Sequence, residues 1–211
     1  MRLYLVRHGQ TVANAERRFQ GHKDFPLSEI GVQQVQRVAE RFREIPVEHI
    51  YSSDLGRALA TAEGIAAVQS KPVIVNPIFR EYCWGIFDGL TLEEAKEQYP
   101  HIIKRNVEDW GAADIPEKET KEDFIQRIDQ AFQYLIDRHM GKRVLLVSHG
   151  RFLNAFMTRI LRVQEDMGWA FTFNNTSISV VDFINSRKPK VRVFNDTNHL
   201  YELSGHEDFL R

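Results

Sequence analysis

Two histidines stand in matching local settings. Leu3-Tyr4-Leu5-Val6-Arg7-His8-Gly9 and Val144-Leu145-Leu146-Val147-Ser148-His149-Gly150 each run through four apolar residues and one polar residue to His-Gly. Four apolar residues in a row read as a buried strand, and the glycine lets the chain turn sharply and approach a ligand closely. Each histidine then falls at the carboxyl end of a strand, which is where ligands bind in open α/β sheets. A third strand end, Ser52-Ser53-Asp54, is followed one helical turn later by Arg57, and Arg7 directly precedes His8. Imidazole offers a nucleophilic nitrogen, and guanidinium a permanently charged fork that matches phosphate oxygens. Two of each, converging on helix N-termini, make a site for a dianionic phosphoryl group, and that chemistry requires no metal.

The elements that must position these residues are visible as periodicity. Short apolar runs at Leu3 to Val6, His49-Ile50-Tyr51, Val73 to Val75 and Val144 to Val147 predict strands. Between them Val35, Val38, Ala39 and Phe42 recur at helical spacing, as do Leu55, Ala58, Leu59, Ala62 and Ile65, with Ser52-Ser53-Asp54 available to cap that second helix. Phe124, Ile128, Ala131, Phe132 and Leu135 predict a third helix, and Phe152, Leu153, Phe156, Met157 and Ile160 a deeply buried fourth. The Phe152/Phe156 stripe is core rather than a cofactor contact. Near the end, Ile178, Val180 and Val181, then Val191 and Val193, flank Asn185 to Pro189 and predict two strands, at least one antiparallel and close to an edge. The alternation implies an α/β fold of three layers, a mostly parallel sheet with helices on both faces. No linker divides residues 1–211, so a single domain is expected, with the polar stretch from about 92 to 120, carrying Pro100, Gly111 and Pro116, as an irregular lid-like insertion.

Composition narrows the function classes. With 28 Lys+Arg against 29 Asp+Glu the formal charge is -1, without the basic excess that displaces counterions from nucleic acid. No apolar run approaches the ~20 residues of a membrane span, and the N-terminus does not read as a signal sequence. The single cysteine, Cys83, cannot form an internal disulfide, which suits a reducing cytoplasm. No Cys/His spacing reads as a metal site. The remaining histidines, His22, His49, His101, His139, His199 and His206, are expected to be structural.

Taken in order, the motifs resemble the histidine phosphatase superfamily, in its phosphoglycerate mutase-like branch. Arg7-His8-Gly9-Gln10-Thr11, Asn14, Phe19-Gln20-Gly21, Pro26-Leu27-Ser28 and Gly31 look like its opening. The likeness continues through Ser52-Ser53-Asp54-Leu55-Gly56-Arg57-Ala58, Thr61-Ala62, Arg80-Glu81, Gly85, Asp88-Gly89 and Val147-Ser148-His149-Gly150. The bare Arg-His-Gly triplet is weak evidence, whereas four motifs in order, each at its own strand end, are specific. The departures, Gln10, Ala13 and the Cys83 to Gly89 segment, touch the pocket wall and no catalytic group.

The resemblance implies covalent phosphoryl transfer without metal or cofactor. His8 would be the nucleophile, Arg7, Arg57 and a cationic His149 would stabilise the phosphoryl charge, and Glu81 would protonate the leaving group. Asn14, Gln20, Gly21 and Gly150 would complete the phosphate site. An ion pair with Arg80 is the competing role for Glu81. The expected activity is hydrolysis of small phosphorylated metabolites, of broad-specificity type. A phosphoglycerate mutase is the first alternative, although Lys104 and Arg105 are the only basic pair in the insertion. An inert phosphate-binding scaffold is the second. A homodimer through an edge strand is compatible with the pattern, and the tail from about Asn195 could close over the site.

Overall fold

A computed structural model describes residues 1–106, 114–163, 170–185 and 188–203. The chain runs through β1 (Arg2–Arg7), α1 (Val12–Ala15), α2 (Glu29–Phe42), β2 (His49–Ser52), α3 (Gly56–Gln69) and β3 (Val73–Val75). It continues through α4 (Leu92–Gln98), α5 (Pro100–Asn106), α6 (Lys121–His139), β4 (Arg143–Ser148), α7 (Gly150–Leu161), β5 (Ile178–Phe183) and β6 (Pro189–Asp196). The strands form one sheet in the order β3-β2-β4-β1-β5-β6. β1, β2, β3 and β4 are parallel, β5 lies antiparallel to β1, and β6 lies antiparallel to β5 at the edge. The three-layer, mostly parallel fold expected from the alternation is the one observed.

The layers follow from side-chain alternation along the central strands. Leu3 and Leu5 of β1, with Val144 and Leu146 of β4, face α6 and α7 through Phe124, Ile128, Leu135, Phe152 and Phe156. Tyr4 and Val6, with Leu145 and Val147, face α2 and α3 through Val38, Phe42, Ala58 and Ile65. Strands buried on both faces therefore need continuous apolar runs, and that is why they were readable. Among the described residues no helix is long and apolar enough to cross a membrane.

Two local expectations need correction. Ser52-Ser53-Asp54 caps the start of α3 only in part: the N-cap residue is Leu55, whose N–H donates to Ser53 Oγ at 3.1 Å, while the N–H of Gly56 donates to Asp24 Oδ2 at 2.6 Å. Asp54 is turned away because Arg80 holds both of its carboxylate oxygens. The described part of the stretch from about 92 to 120 is also more regular than expected, with α4 and α5 over its first half. Thr91 and Glu94 form a reciprocal capping box that starts α4, and Ala95, Ile103 and Ile115 are buried in the core on the α6/α7 side. Gly111 and the side chains of Lys104 and Arg105 lie outside the described residues, as does His206.

The central position of β4 gives a direct test. Leu146→Ala, which empties a fully buried site between two helical layers, should cost about 2–5 kcal/mol in urea denaturation, whereas Val191→Ala on the exposed edge should stay within about 0.5 kcal/mol.

Candidate active site

β1 and β4 are neighbours in register, with Arg7 opposite Ser148, so the residues that follow them emerge side by side. The His8 and His149 rings lie 5.2 Å apart between centroids, inclined at 58°. Both are buried, His8 at 2% and His149 at 0% exposure. Next to β4, β2 delivers Ser53, whose Oγ lies 2.9 Å from His149 Nε2. α3 then carries Arg57 back toward the same strand ends, at 1% exposure. Helix α7 begins directly after His149, which is its N-cap residue, so the positive end of that helix also opens on the crevice.

The guanidinium groups are held by backbone carbonyls. Arg57 donates through Nη1 to Lys23 O at 3.0 Å and through Nη2 to Gly21 O at 2.8 Å, with Asp24 Oδ1 3.6 Å from Nη1. Gly21 is in the left-handed region at φ +48°, and a Cβ there would fall 1.8 Å from the Asp88 carboxylate, so only glycine can present this carbonyl. Arg7 donates through Nη1 to Phe173 O at 2.7 Å, and its Nε lies 3.4 Å from where a Gly150 Cβ would be. What remains is informative. Arg7 Nε, Arg57 Nε and His149 Nδ1 are buried without a hydrogen-bond partner. Orphaned buried donors are costly, and an anion placed among these strand ends would satisfy them.

Charge states follow from the same burial. Loss of water, then the charges of Arg57 and Arg7, holds the His8 imidazole well below its usual pKa. His149 is pushed down in the same way, first by burial and then by Arg57 and His8. Burial thus opposes the cationic form expected of His149. His8 Nδ1 lies 2.7 Å from the carbonyl of Gly9, an acceptor, so the proton of the neutral ring sits on Nδ1 and the lone pair on Nε2. Burial also lowers the pKa of both arginines, with Glu81 opposing it.

Glu81 does not pair with Arg80, which is engaged by Asp54. Its Oε1 accepts the N–H groups of Tyr82 and Phe152, both at 2.9 Å, and its Oε2 accepts the N–H of Arg151 at 3.1 Å. A residue remote in sequence thus caps the first turn of α7. The Glu81 carbonyl is fixed from the other side, by His22 Nε2 at 2.8 Å and Arg127 Nη2 at 3.1 Å.

Asn14 closes a reciprocal capping box with Thr11 around α1, and Thr11 Oγ1 lies 2.9 Å from Gln20 Oε1, so both predicted amides belong to one network at the mouth of β1. The structure therefore gathers His8, His149, Arg7, Arg57, Glu81, Gly21 and Gly150 at the strand ends and places Asn14 and Gln20 beside them. Sequence reasoning placed Ser53 at the third strand end without giving it a contact, and missed Asp24 and the turn Phe173-Asn174-Asn175-Thr176. In that turn Thr176 N–H donates to Arg7 O at 2.9 Å and Asn175 Nδ2 donates to His8 O at 2.8 Å. The signal available was weak: a run of polar residues just before β5 that proves buried. In its described part the tail packs against α2, where Leu200 is buried and Arg37 pairs with Glu202 at 3.2 Å.

Comparison with known proteins agrees with this geometry. Residues 3–197 match the family model described as histidine phosphatase superfamily, branch 1. A protein of Yersinia pestis named as a probable phosphoglycerate mutase, GpmB, is 34% identical over 183 residues, covering 87% of this chain and 85% of its own. The α-ribazole phosphatase of Shigella flexneri superposes with a TM-score of 0.85 at 26% identity, covering 93% of this chain and 96% of that one. A mycobacterial glucosyl-3-phosphoglycerate phosphatase, solved with vanadate, gives a TM-score of 0.82 at 27% identity over 93% of this chain and 99% of its own.

The lowered histidine pKa values set an expected pH response. Both groups stay neutral in the fold but gain protons when the chain unfolds, so their contribution to stability is complete above the ordinary histidine pKa and is lost progressively below it. Ring-resolved NMR at pH 6 without phosphate should show both imidazoles neutral, with His8 protonated on Nδ1. A His8 midpoint at or above about 6.5, the ordinary histidine value, would contradict the assignment.

Proposed function

The chain belongs to the histidine phosphatase superfamily, and from that premise we propose that it is a phosphomonoester hydrolase that cleaves small phosphorylated metabolites through a phosphohistidine on His8. The observation that carries this reading is the set of partnerless buried groups, Arg7 Nε, Arg57 Nε and His149 Nδ1, around a neutral imidazole. The Nε2 lone pair of His8 attacks phosphorus as the bond to the ester oxygen breaks. Arg7, Arg57 and His149 take the charge that spreads over the equatorial oxygens, and the arriving dianion draws a proton onto His149. The proton of the Glu81 carboxyl goes to the departing alkoxide. In the second half, Glu81 as carboxylate accepts a proton from water, whose oxygen attacks phosphorus and releases His8, leaving alcohol and inorganic phosphate as products.

Asn14, Gln20, Gly21 and Gly150 support binding of the phosphoryl group, and the segment from about 92 to 120 is assigned the wall that limits water on the leaving-group side. A cytoplasmic setting suits a chain whose one cysteine is unpaired. The likeness to the protein named as a phosphoglycerate mutase supports a second reading, in which a substrate hydroxyl rather than water accepts the phosphoryl group.

Assay of p-nitrophenyl phosphate with EDTA present should give turnover that His8→Ala lowers by at least about 10³-fold, as expected when a nucleophile is removed. A rapid quench above neutral pH should trap phosphate on His8; label that survives acid on another residue would sink the mechanism. Cofactor-dependent interchange of phosphoglycerates with no net release of phosphate would move the assignment to the mutase. Glu81→Gln should cost about 10²–10⁴-fold on alkyl phosphates and much less on the nitrophenyl ester, whose leaving group departs without a proton. Equal losses on both would reduce Glu81 to its capping role.

A further inference from the structure

The turn that precedes β5 contacts two consecutive site residues from behind. Phe173 O accepts from Arg7 Nη1, Thr176 N–H donates to Arg7 O, and Asn175 Nδ2 donates to His8 O. Thr176 is fully buried and sits at φ +54°, a region that costs a β-branched residue energy unless its surroundings impose it. Here the imposing contacts are those with the end of β1.

Asn175 reaches one residue further. Its Nδ2 also lies 3.5 Å from Asn14 Oδ1, so its two amide hydrogens face two acceptors, the His8 carbonyl and the Asn14 side-chain oxygen. Asn14 Oδ1 is at the same time 3.1 Å from Thr11 N and 3.1 Å from Thr11 Oγ1. The Thr11 N–H and the Asn175 amide around one oxygen fix which way the Asn14 amide points, because the reversed amide would set N–H against N–H. The Nδ2 of Asn14 is then the end left to address an anion beside His8.

We infer that Asn175 is a positioning residue of the phosphate site: it fixes the backbone of the nucleophile and the polarity of the Asn14 amide, so that Asn14 offers hydrogens to a phosphoryl group. The inference rests on the phosphoryl-binding reading of this site, and it does not require that the ester be hydrolysed. Asn175 touches no reacting atom. It is 2% exposed and lies more than 160 residues from both partners in sequence, which is why no local motif contains it.

Asn175→Asp is the incisive substitution. It keeps the shape but turns the donor into an acceptor facing two oxygens, and relief comes only if the Asn14 amide reverses and presents oxygen to the anion. Calorimetric binding of inorganic phosphate should weaken by at least about ten-fold, the scale of a hydrogen-bond donor replaced by an opposed acceptor. The same substitution made on an Asn14→Ala background should cost markedly less, because the amide through which it acts is gone. A purely structural Asn175 would lower the melting temperature but leave phosphate affinity within about three-fold, or would cost the same factor on both backgrounds; either result overturns the inference. Asn175→Ala, taken through the same cycle, replaces the acidic variant if that one does not fold. Phosphate binding that couples Asn14 to Asn175 in a protein that hydrolyses no ester would sustain the positioning role while refuting the hydrolase. Full hydrolysis without coupling would do the reverse.

Discussion

Two guanidinium groups with buried, partnerless Nε atoms are the constraint on which the rest of this structure depends. A charge removed from water is tolerable only when it is hydrogen-bonded or paired. The fold answers with hydrogen bonds to carbonyls: Gly21 O and Lys23 O for Arg57, Phe173 O for Arg7, with the Asp24 carboxylate held 3.6 Å from Arg57 Nη1. Carbonyls hold the guanidinium in place without neutralising it. The positive potential at the strand ends is therefore preserved, and it adds to burial, the larger cause, in lowering the pKa of both imidazoles.

The same constraint explains which parts of the molecule were legible in the sequence. β1 and β4 are buried on both faces, so they must be continuously apolar, and the histidines that end them are marked by the glycines that follow. Arg57 could be placed because it lies one turn into a helix whose apolar stripe is regular. The groups that hold Arg57 were not legible, since Gly21, Lys23 and Asp24 belong to a loop whose relation to α3 exists only once the sheet has formed. Asp54 looked like the helix cap by proximity, yet Asp24 supplies the acceptor because Arg80 has already engaged Asp54. Competition between acceptors is settled in three dimensions, and residue spacing does not record it.

The turn at Phe173 to Thr176 illustrates a deeper limit. Its polar residues read as an ordinary loop, but the antiparallel pairing of β5 with β1 brings it under the two site residues that β1 carries. The edge half of the sheet, β5 and β6, adds nothing to the parallel α/β pattern and looks like an appendage in the sequence. It is instead the element that ties down the end of β1, because Thr176 N–H donates to the carbonyl of Arg7, the last residue of that strand.

Glu81 shows how one helix terminus can serve two purposes. The first turn of α7 must satisfy its free N–H groups, and here those of Arg151 and Phe152 are met by the Glu81 carboxylate instead of a local cap. That places a carboxylate beside His149 and Gly150, within the field of Arg7 and Arg57 but with no direct ion pair to Arg80 or Arg127, which are engaged by Asp54 and Glu119. The backbone N–H groups at the start of α7 therefore hold the Glu81 carboxylate in place, and a residue some seventy positions upstream in the chain is fixed beside the histidine that ends β4.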